Sequence, residues 1–226
     1  KLIYSQPNFN YTDNTLFTSI KSTSTDNLTD YGYKTSEVGF SLGTSFEQYE
    51  NLYFRPDISV TYENVETSST ASDSYKKQAG DFLDTYFIYS LDYDKRDQKY
   101  QPTDGFRSKF IQKLPLISDN YALTNTYSLK FYEEFFKKNI LSYGFYTSSI
   151  NSIASKNVRL SDRLYLPARK LRGFESGQVG PKDGTDFIGG NYIFAFNAST
   201  SMPQILPSFQ NTNFQLFFDA ANVWGV

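Results

Sequence analysis

Arg172 has the strongest chemical claim in this chain. It stands in Leu171-Arg172-Gly173-Phe174, inside a segment from about 155 to 190 punctuated by Gly177, Gly180, Gly184, Gly189, Pro167 and Pro181. A long irregular segment of this kind is usually functional or disordered. Gly173 permits a left-handed backbone, and Phe174 is costly to expose, so an Arg-Gly-Phe tip could fold back onto the protein. A buried guanidinium then needs a carboxylate. Asp219 is the candidate. In Phe214-Gln215-Leu216-Phe217-Phe218-Asp219 the apolar Phe214, Leu216 and Phe218 share one strand face, and Gln215, Phe217 and Asp219 share the other. The plain alternative leaves Arg172 and Asp219 each in solvent. A second charged group, Arg96 and Asp97 followed by Pro102, Thr103, Asp104 and Gly105, reads as a structural turn. Proline pre-sets one turn position and Asp-Gly supplies a positive φ before the next strand.

Other chemistry is excluded by residue type. The chain has no histidine and no cysteine, which removes Ser-His-Asp and Cys-His catalysis, histidine-bound metals, zinc–thiolate sites and disulfides. Glu133 and Glu134 are adjacent, so on a strand they face opposite ways and cannot act as a pair. No phosphate-binding Gly-x-x-x-x-Gly-Lys motif occurs. A net charge of −2 gives no electrostatic case for nucleic acid. No enzyme, metal or cofactor is expected.

The elements that must position these residues are strands. Within the segment 33–48, Val38, Phe40 and Leu42 alternate with Gly39, Ser41 and Gly43; within 51–64, Ile58, Val60 and Tyr62 alternate with Asp57, Ser59 and Thr61. This is period 2, not 3.6. Similar patterns cover 15–26, 81–95, 106–116, 121–136, 140–154, 191–202 and 212–224, and 1–9 reads as the end of a strand. Most exceed the usual globular length of about 5–6 residues and suit tilted membrane strands, which need about 9–11. Connections alternate between tight (10–14, 49–50, 137–139) and long (27–32, 65–80, 155–190), as short periplasmic turns and long outer loops require. The connections at 94–105 and 203–211, the second with Pro203, Pro207 and Asn211, fall on the short side and are longer than that rule expects. Aromatics form 18% of residues although mean hydropathy is −0.50. That combination is natural where lipid-facing and lumen-facing residues alternate. The expected fold is all-β: a transmembrane antiparallel β-barrel, partial, with a long loop folded into the lumen. No signal peptide is visible at Lys1, so residues 1–226 read as an internal fragment of a barrel domain.

Together these residues resemble the BamA family of outer-membrane β-barrel assembly proteins, the bacterial surface antigen barrel. Leu171-Arg172-Gly173-Phe174 with Gly180-Pro181 is similar to the family's Val-Arg-Gly-Phe loop and its trailing Gly-Pro. Ile188-Gly189-Gly190-Asn191 opens the following strand, and Phe217-Phe218-Asp219-Ala220-Ala221-Asn222-Val223-Trp224 is similar to the family's Phe-x-Asp-x-Gly-x-Val-Trp strand. Arg96-Asp97 with Pro102-Thr103-Asp104-Gly105 is like the turn before a mid-barrel strand. The resemblance implies about ten of sixteen strands, with POTRA domains and closing strands outside residues 1–226. It also implies an Arg172–Asp219 pair, a bacterial outer-membrane location, unfolded β-barrel clients, a lipid bilayer around the wall, and assembly lipoproteins in the full complex. Two positions depart from the pattern. Ala221 stands where the family often has glycine, and Ser199 where many members carry a second acidic residue facing the arginine. A two-partner secretion or autotransporter-assembly barrel is the alternative within the same architecture. An outer-membrane protease or phospholipase is disfavoured by the lack of histidine. A diffusion porin would not need the Arg-Gly-Phe loop.

Overall fold

A computed structural model describes residues 1–27, 33–69, 76, 79–119, 121–136, 139–154, 157–184, 186–202 and 214–225. The connection expected at 203–211, much of those expected at 27–32 and 65–80, Asn120 and the Lys137-Lys138 turn lie outside those residues. The strands are β1 (Leu2–Gln6), β2 (Thr15–Asn27), β3 (Tyr33–Tyr49), β4 (Leu52–Thr67), β5 (Gly80–Asp94), β6 (Gly105–Ile117), β7 (Ala122–Phe136) and β8 (Asn139–Ser152). Two short strands follow, β9 (Lys182–Asp183) and β10 (Asp186–Phe187), then β11 (Tyr192–Met202) and β12 (Phe214–Trp224).

Ten of these form one antiparallel sheet in the order β1-β2-β3-β4-β5-β6-β7-β8-β11-β12, while β9 and β10 pair only with each other. Apart from the β8-to-β11 step around the loop, each strand pairs with its sequence neighbour, the meander that short antiparallel connections favour. The sheet is open among the described residues. The segment between β8 and β11 is more ordered than its composition suggests. It holds two 3₁₀ turns, Leu160–Asp162 and Ala168–Lys170, the β9–β10 ladder, and a bridge between Leu164 and Gly190.

The two faces differ as the alternation dictates. Val38, Phe40, Leu42, Ile58, Val60, Leu83, Phe194, Leu216 and Phe218 are exposed on the outer face. In water so much contiguous apolar surface would be a liability; against lipid it is the surface a barrel requires. Rings form rows there, such as Tyr93–Phe106–Phe131–Tyr143 with centroids 5.3–5.7 Å apart. Such rows match the aromatic girdles of membrane barrels. The inner face is polar and knitted by hydrogen bonds across strands: Ser19 to Ser41 (2.8 Å), Thr126 to Ser148 (2.8 Å) and Ser142 to Ser199 (2.9 Å).

The β8–β11 segment lies across this inner face and supplies its apolar packing. Leu166 packs with Ile193, Ala195 and Val223; Val158 packs with Ala122 and Ile150; Leu160 packs with Ile188 and the Tyr33 ring. The core therefore sits between loop and wall rather than between two sheets. Phe40 and Ser41 are neighbours on opposite faces at the middle of β3. Phe40→Arg should cost about 2–4 kcal/mol in a bilayer, and Ser41→Lys well under half of that. Denaturant unfolding of the full-length protein in lipid vesicles measures both, and equal losses would refute the assignment of faces.

Candidate functional site

Arg172 is carried to the wall by the second 3₁₀ turn and by burial of its neighbour Leu171 against Leu166, Ile193, Ala195 and Val223. Its guanidinium donates from Nε to Asp219 Oδ2 (2.7 Å) and from Nη2 to Asp219 Oδ1 (2.7 Å). Its backbone N–H adds a third bond to Oδ2 (3.0 Å). Asn197, directly across the ladder from Asp219, donates its amide Nδ2 to Oδ1 (2.8 Å) and to the Lys170 carbonyl (2.9 Å). An ionised carboxylate has about four acceptor sites, and all four are used. The Asp219 side chain is 2% exposed and that of Arg172 31%. The guanidinium also lies over the Phe217 ring, 3.9 Å from its centroid, the stacked arrangement arginine favours. Hydrogen bonding to Asp219 raises the Arg172 pKa further, so the pair is charged at any physiological pH.

The glycines of the motif do separate work. Gly173 adopts φ +84° and turns the chain just past the arginine. Gly180, at φ +118°, passes so close to β12 that an added Cβ would lie 2.8 Å from Val223 Cβ. Pro181 follows, and its carbonyl accepts the Ile188 N–H (3.0 Å). Phe174 departs from expectation. It is 62% exposed, because the turn at Gly173 sends it away from the wall, and Leu171 rather than Phe174 fills the apolar patch. Ser199 lies across the ladder from Phe217 and bonds Ser142 Oγ. The place beside Asp219 belongs to neutral Asn197.

The turn between β5 and β6 is a closed hydrogen-bonded unit. Asp97 accepts from the Thr103 N–H (3.0 Å), the Thr103 hydroxyl (2.6 Å) and the Asp104 N–H (3.2 Å). The Thr103 hydroxyl foremost holds the Asp97 carboxyl below the usual range. Pro102 leads into Thr103, and Gly105 enters β6 at φ +92°. A Cβ there would meet the Lys95 carbonyl at 2.1 Å. Arg96 turns back from this unit and grips both oxygens of Asp94, at 2.7 Å each.

A second docking point was not anticipated from sequence. Arg159 ion-pairs with Asp84 of β5 and, through Nε, with Asp162 (2.9 Å). Asp84 also accepts from the Ser118 hydroxyl (2.6 Å), and Arg159 stacks 4.5 Å from the Phe82 centroid. Both charged side chains are under a tenth exposed. Burial works against the Arg159 charge, but the Asp162 and Asp84 carboxylates outweigh it and raise its pKa. Nearby, the Ser161 hydroxyl donates to Glu63 of β4 (3.0 Å). Two signals were present in the sequence: Arg159 and Asp162 at spacing three, and Asp84 in phase with the inward residues Tyr86, Ser90 and Asp92. One loop is thus fastened to the wall at β5 and again at β12. Among the described residues no group of metal-ligating side chains forms a cation site.

This is a membrane β-barrel wall with a long loop pinned to its inner face by arginine–carboxylate contacts. The Omp85 superfamily domain matches residues 1–226, and the chain belongs to the Omp85 superfamily. The chain is 24% identical over 199 residues to the outer membrane protein assembly factor BamA of Neorickettsia risticii, covering 86% of this chain and 27% of that protein. It is 32% identical over 144 residues to a SAM50-like protein of Schizosaccharomyces pombe, covering 59% of this chain and 30% of the relative. The crystal structure of BamA from Haemophilus ducreyi lacking POTRA domains 1–3 superposes with a TM-score of 0.81 at 21% identity, over 99% of this chain and 49% of that one. The chain spans less than a third of these curated relatives and about half of the solved structure. The barrel fold and the family place it in a bacterial outer membrane.

Asp84→Asn leaves a buried guanidinium with Asp162 as its one remaining carboxylate, and removal of one member of a buried pair costs up to about 3–5 kcal/mol. The full-length barrel in detergent should therefore lose its heat-resistant compact form at a lower temperature, visible as a gel-mobility shift. An unchanged transition would mean that water replaces the carboxylate at no cost.

Proposed function

We propose that this chain is the wall-and-loop portion of an outer-membrane protein assembly factor, which folds β-barrel proteins and inserts them into the membrane. The observation that carries the reading is the docked Arg172–Asp219 loop in a chain matched along its whole length by the Omp85 domain. Relatives named for outer membrane protein assembly and for sorting and assembly support it. On this reading the partners are unfolded β-barrel clients, the surrounding bilayer and assembly lipoproteins. The work is non-covalent: no bond of the client is made or broken, and the protein is not an enzyme in that sense.

The geometry suggests what the loop contributes. A ten-stranded sheet is a flexible object, and neighbouring strands hold one another only through local ladders. The loop connects β4 and β5 to β11 and β12 from the inside, through Ser161, Arg159 and Arg172. It thereby fixes the curvature of the wall between them, so that deformation during client insertion is confined to other parts of the barrel. The inner bond is charged, bidentate and stacked, which makes it specific in direction as well as strong.

Arg172→Ala and Asp219→Asn in the full-length protein should each lower the rate of client barrel insertion into vesicles by about tenfold or more. Arg172→Lys should rescue only partly, because a lysine cannot bridge both oxygens of Asp219. Exchange of an exposed charge, such as Lys182→Gln, should leave the rate unchanged. Insertion at the normal rate with Arg172→Ala would defeat the role given to the loop.

A further inference from the structure

Below the docked loop lies a cavity of about 630 Å³ whose charged lining is entirely basic. It is framed by one continuous row of inward-facing residues across six strands: Asp94, Arg107, Lys130, Gly144, Asn197 and Asp219, each directly opposite the next. Glycine at position 144 leaves the middle of that row without a side chain, and a Cβ there would press on the Leu129 carbonyl at 2.3 Å. The gap is therefore built into the strand packing.

The cations around it fall into two groups. Arg96, Arg107, Lys109 and Arg172 are engaged by carboxylates: Arg96 by Asp94, Arg107 by Asp92 (2.8 Å from Nε), Lys109 also by Asp92 (3.6 Å), and Arg172 by Asp219. Lys130, Arg169 and Lys170 form no salt bridge among the described residues. The two lysines rest instead against aromatic rings, Lys130 4.8 Å from the Tyr132 centroid and Lys170 4.9 Å from that of Tyr146. Seven cations thus line one cavity, and the three carboxylates Asp92, Asp94 and Asp219 engage four of them from outside the lining. Burial first, and the Lys130 charge second, push the Lys170 ammonium below its ordinary pKa, and the Asp219 carboxylate opposes the shift.

We propose that this cavity is a binding site for a phosphoanion, held between Lys130 on the wall and Arg169 and Lys170 on the loop. The charge excess favours phosphate over a single carboxylate, since a phosphate monoester carries about −1.5 to −2 and offers three acceptor oxygens, while a carboxylate carries one charge. Arginine and lysine are the residues that bind phosphate in general, the first by its fork and the second as a point charge. The Ser128 hydroxyl and one hydroxyl of the mutually bonded Ser142–Ser199 pair supply neutral donors in the lining. A ligand here touches loop and wall together, so it adds a further fastening between them. The same chemistry is offered by a soluble polyphosphate and by the phosphate of a lipid headgroup. The site is argued from its own geometry and does not depend on the assembly role.

Isothermal titration of the full-length protein in detergent with inorganic tripolyphosphate tests this. Saturable one-site binding is expected, weakened about tenfold by each of Lys130→Gln, Arg169→Gln and Lys170→Gln, abolished by Lys130→Glu, and unaffected by Lys182→Gln. Each variant is first checked for the compact heat-modifiable form, and Arg169→Gln, in the loop rather than the wall, keeps the test independent of strand folding. A parallel titration with short-chain phosphatidic acid in the same micelles separates the sources. Tighter binding of the lipid assigns the site to a headgroup, and tighter binding of tripolyphosphate assigns it to a soluble anion; either supports the proposal. Absence of saturable binding, binding indifferent to the three substitutions, or tighter binding of an acidic peptide of equal charge would overturn it.

Discussion

Asp219 is the point on which the loop–wall arrangement turns. A carboxylate 2% exposed on the inner side of a strand is tolerable only if its acceptor sites are filled. Here two come from the arginine side chain, one from the arginine backbone and one from Asn197. The backbone amides of β12 lie in the plane of the sheet and do not point at an inward carboxylate. Asn197 of the neighbouring β11 supplies one donor, and the loop must bring the other three. The conformation of the segment from 157 to 184 follows in large part from that requirement: Leu171 seated in an apolar patch, Gly173 turning the chain, Gly180 sliding past Val223.

The same logic operates at β5, where Asp84 and Arg159 are buried together. Two fastenings at separated strands do more than one. A single contact would hold the loop's tip and leave the rest free to swing. Two, with apolar packing between them, hold the loop as a strut across the concave side of the sheet. The strut also separates the inner space, with the mainly apolar contacts of the loop above and the basic cavity below, so the electrostatic character of that cavity depends on where the loop is fixed.

The outer face has the opposite economy. It carries no fastening and needs none, since lipid accepts what water would reject. Phe40, Ile58 and Leu216 would look like errors on a soluble sheet. A negative mean hydropathy and an aromatic-rich composition are compatible because the two faces average out along every strand.

The sequence by itself determined the strands and their faces. Alternation in β3, β4, β5 and β12 is a local property: the pleat fixes which residues share a side, and lipid on one side with a polar lumen on the other writes that division into adjacent residues. The inward phase of Asp219 was legible for the same reason, whereas the motif around Arg172 stood out because alternation breaks there and because it resembles the family's loop. Tertiary structure decided what meets across distance. That Asn197 rather than Ser199 stands beside Asp219 depends on strand register: a two-residue shift would put Ser199 there, and a one-residue slip would turn the whole strand face over. That Arg159 meets Asp84, 75 positions earlier in the chain, depends on how the sheet curves and where the loop crosses it. That Phe174 stays exposed follows from a single backbone turn at Gly173. The basic cavity is the extreme case: Lys130, Arg169 and Lys170 are ordinary charges in sequence, and only the gap at Gly144 and the docked loop bring them to one place.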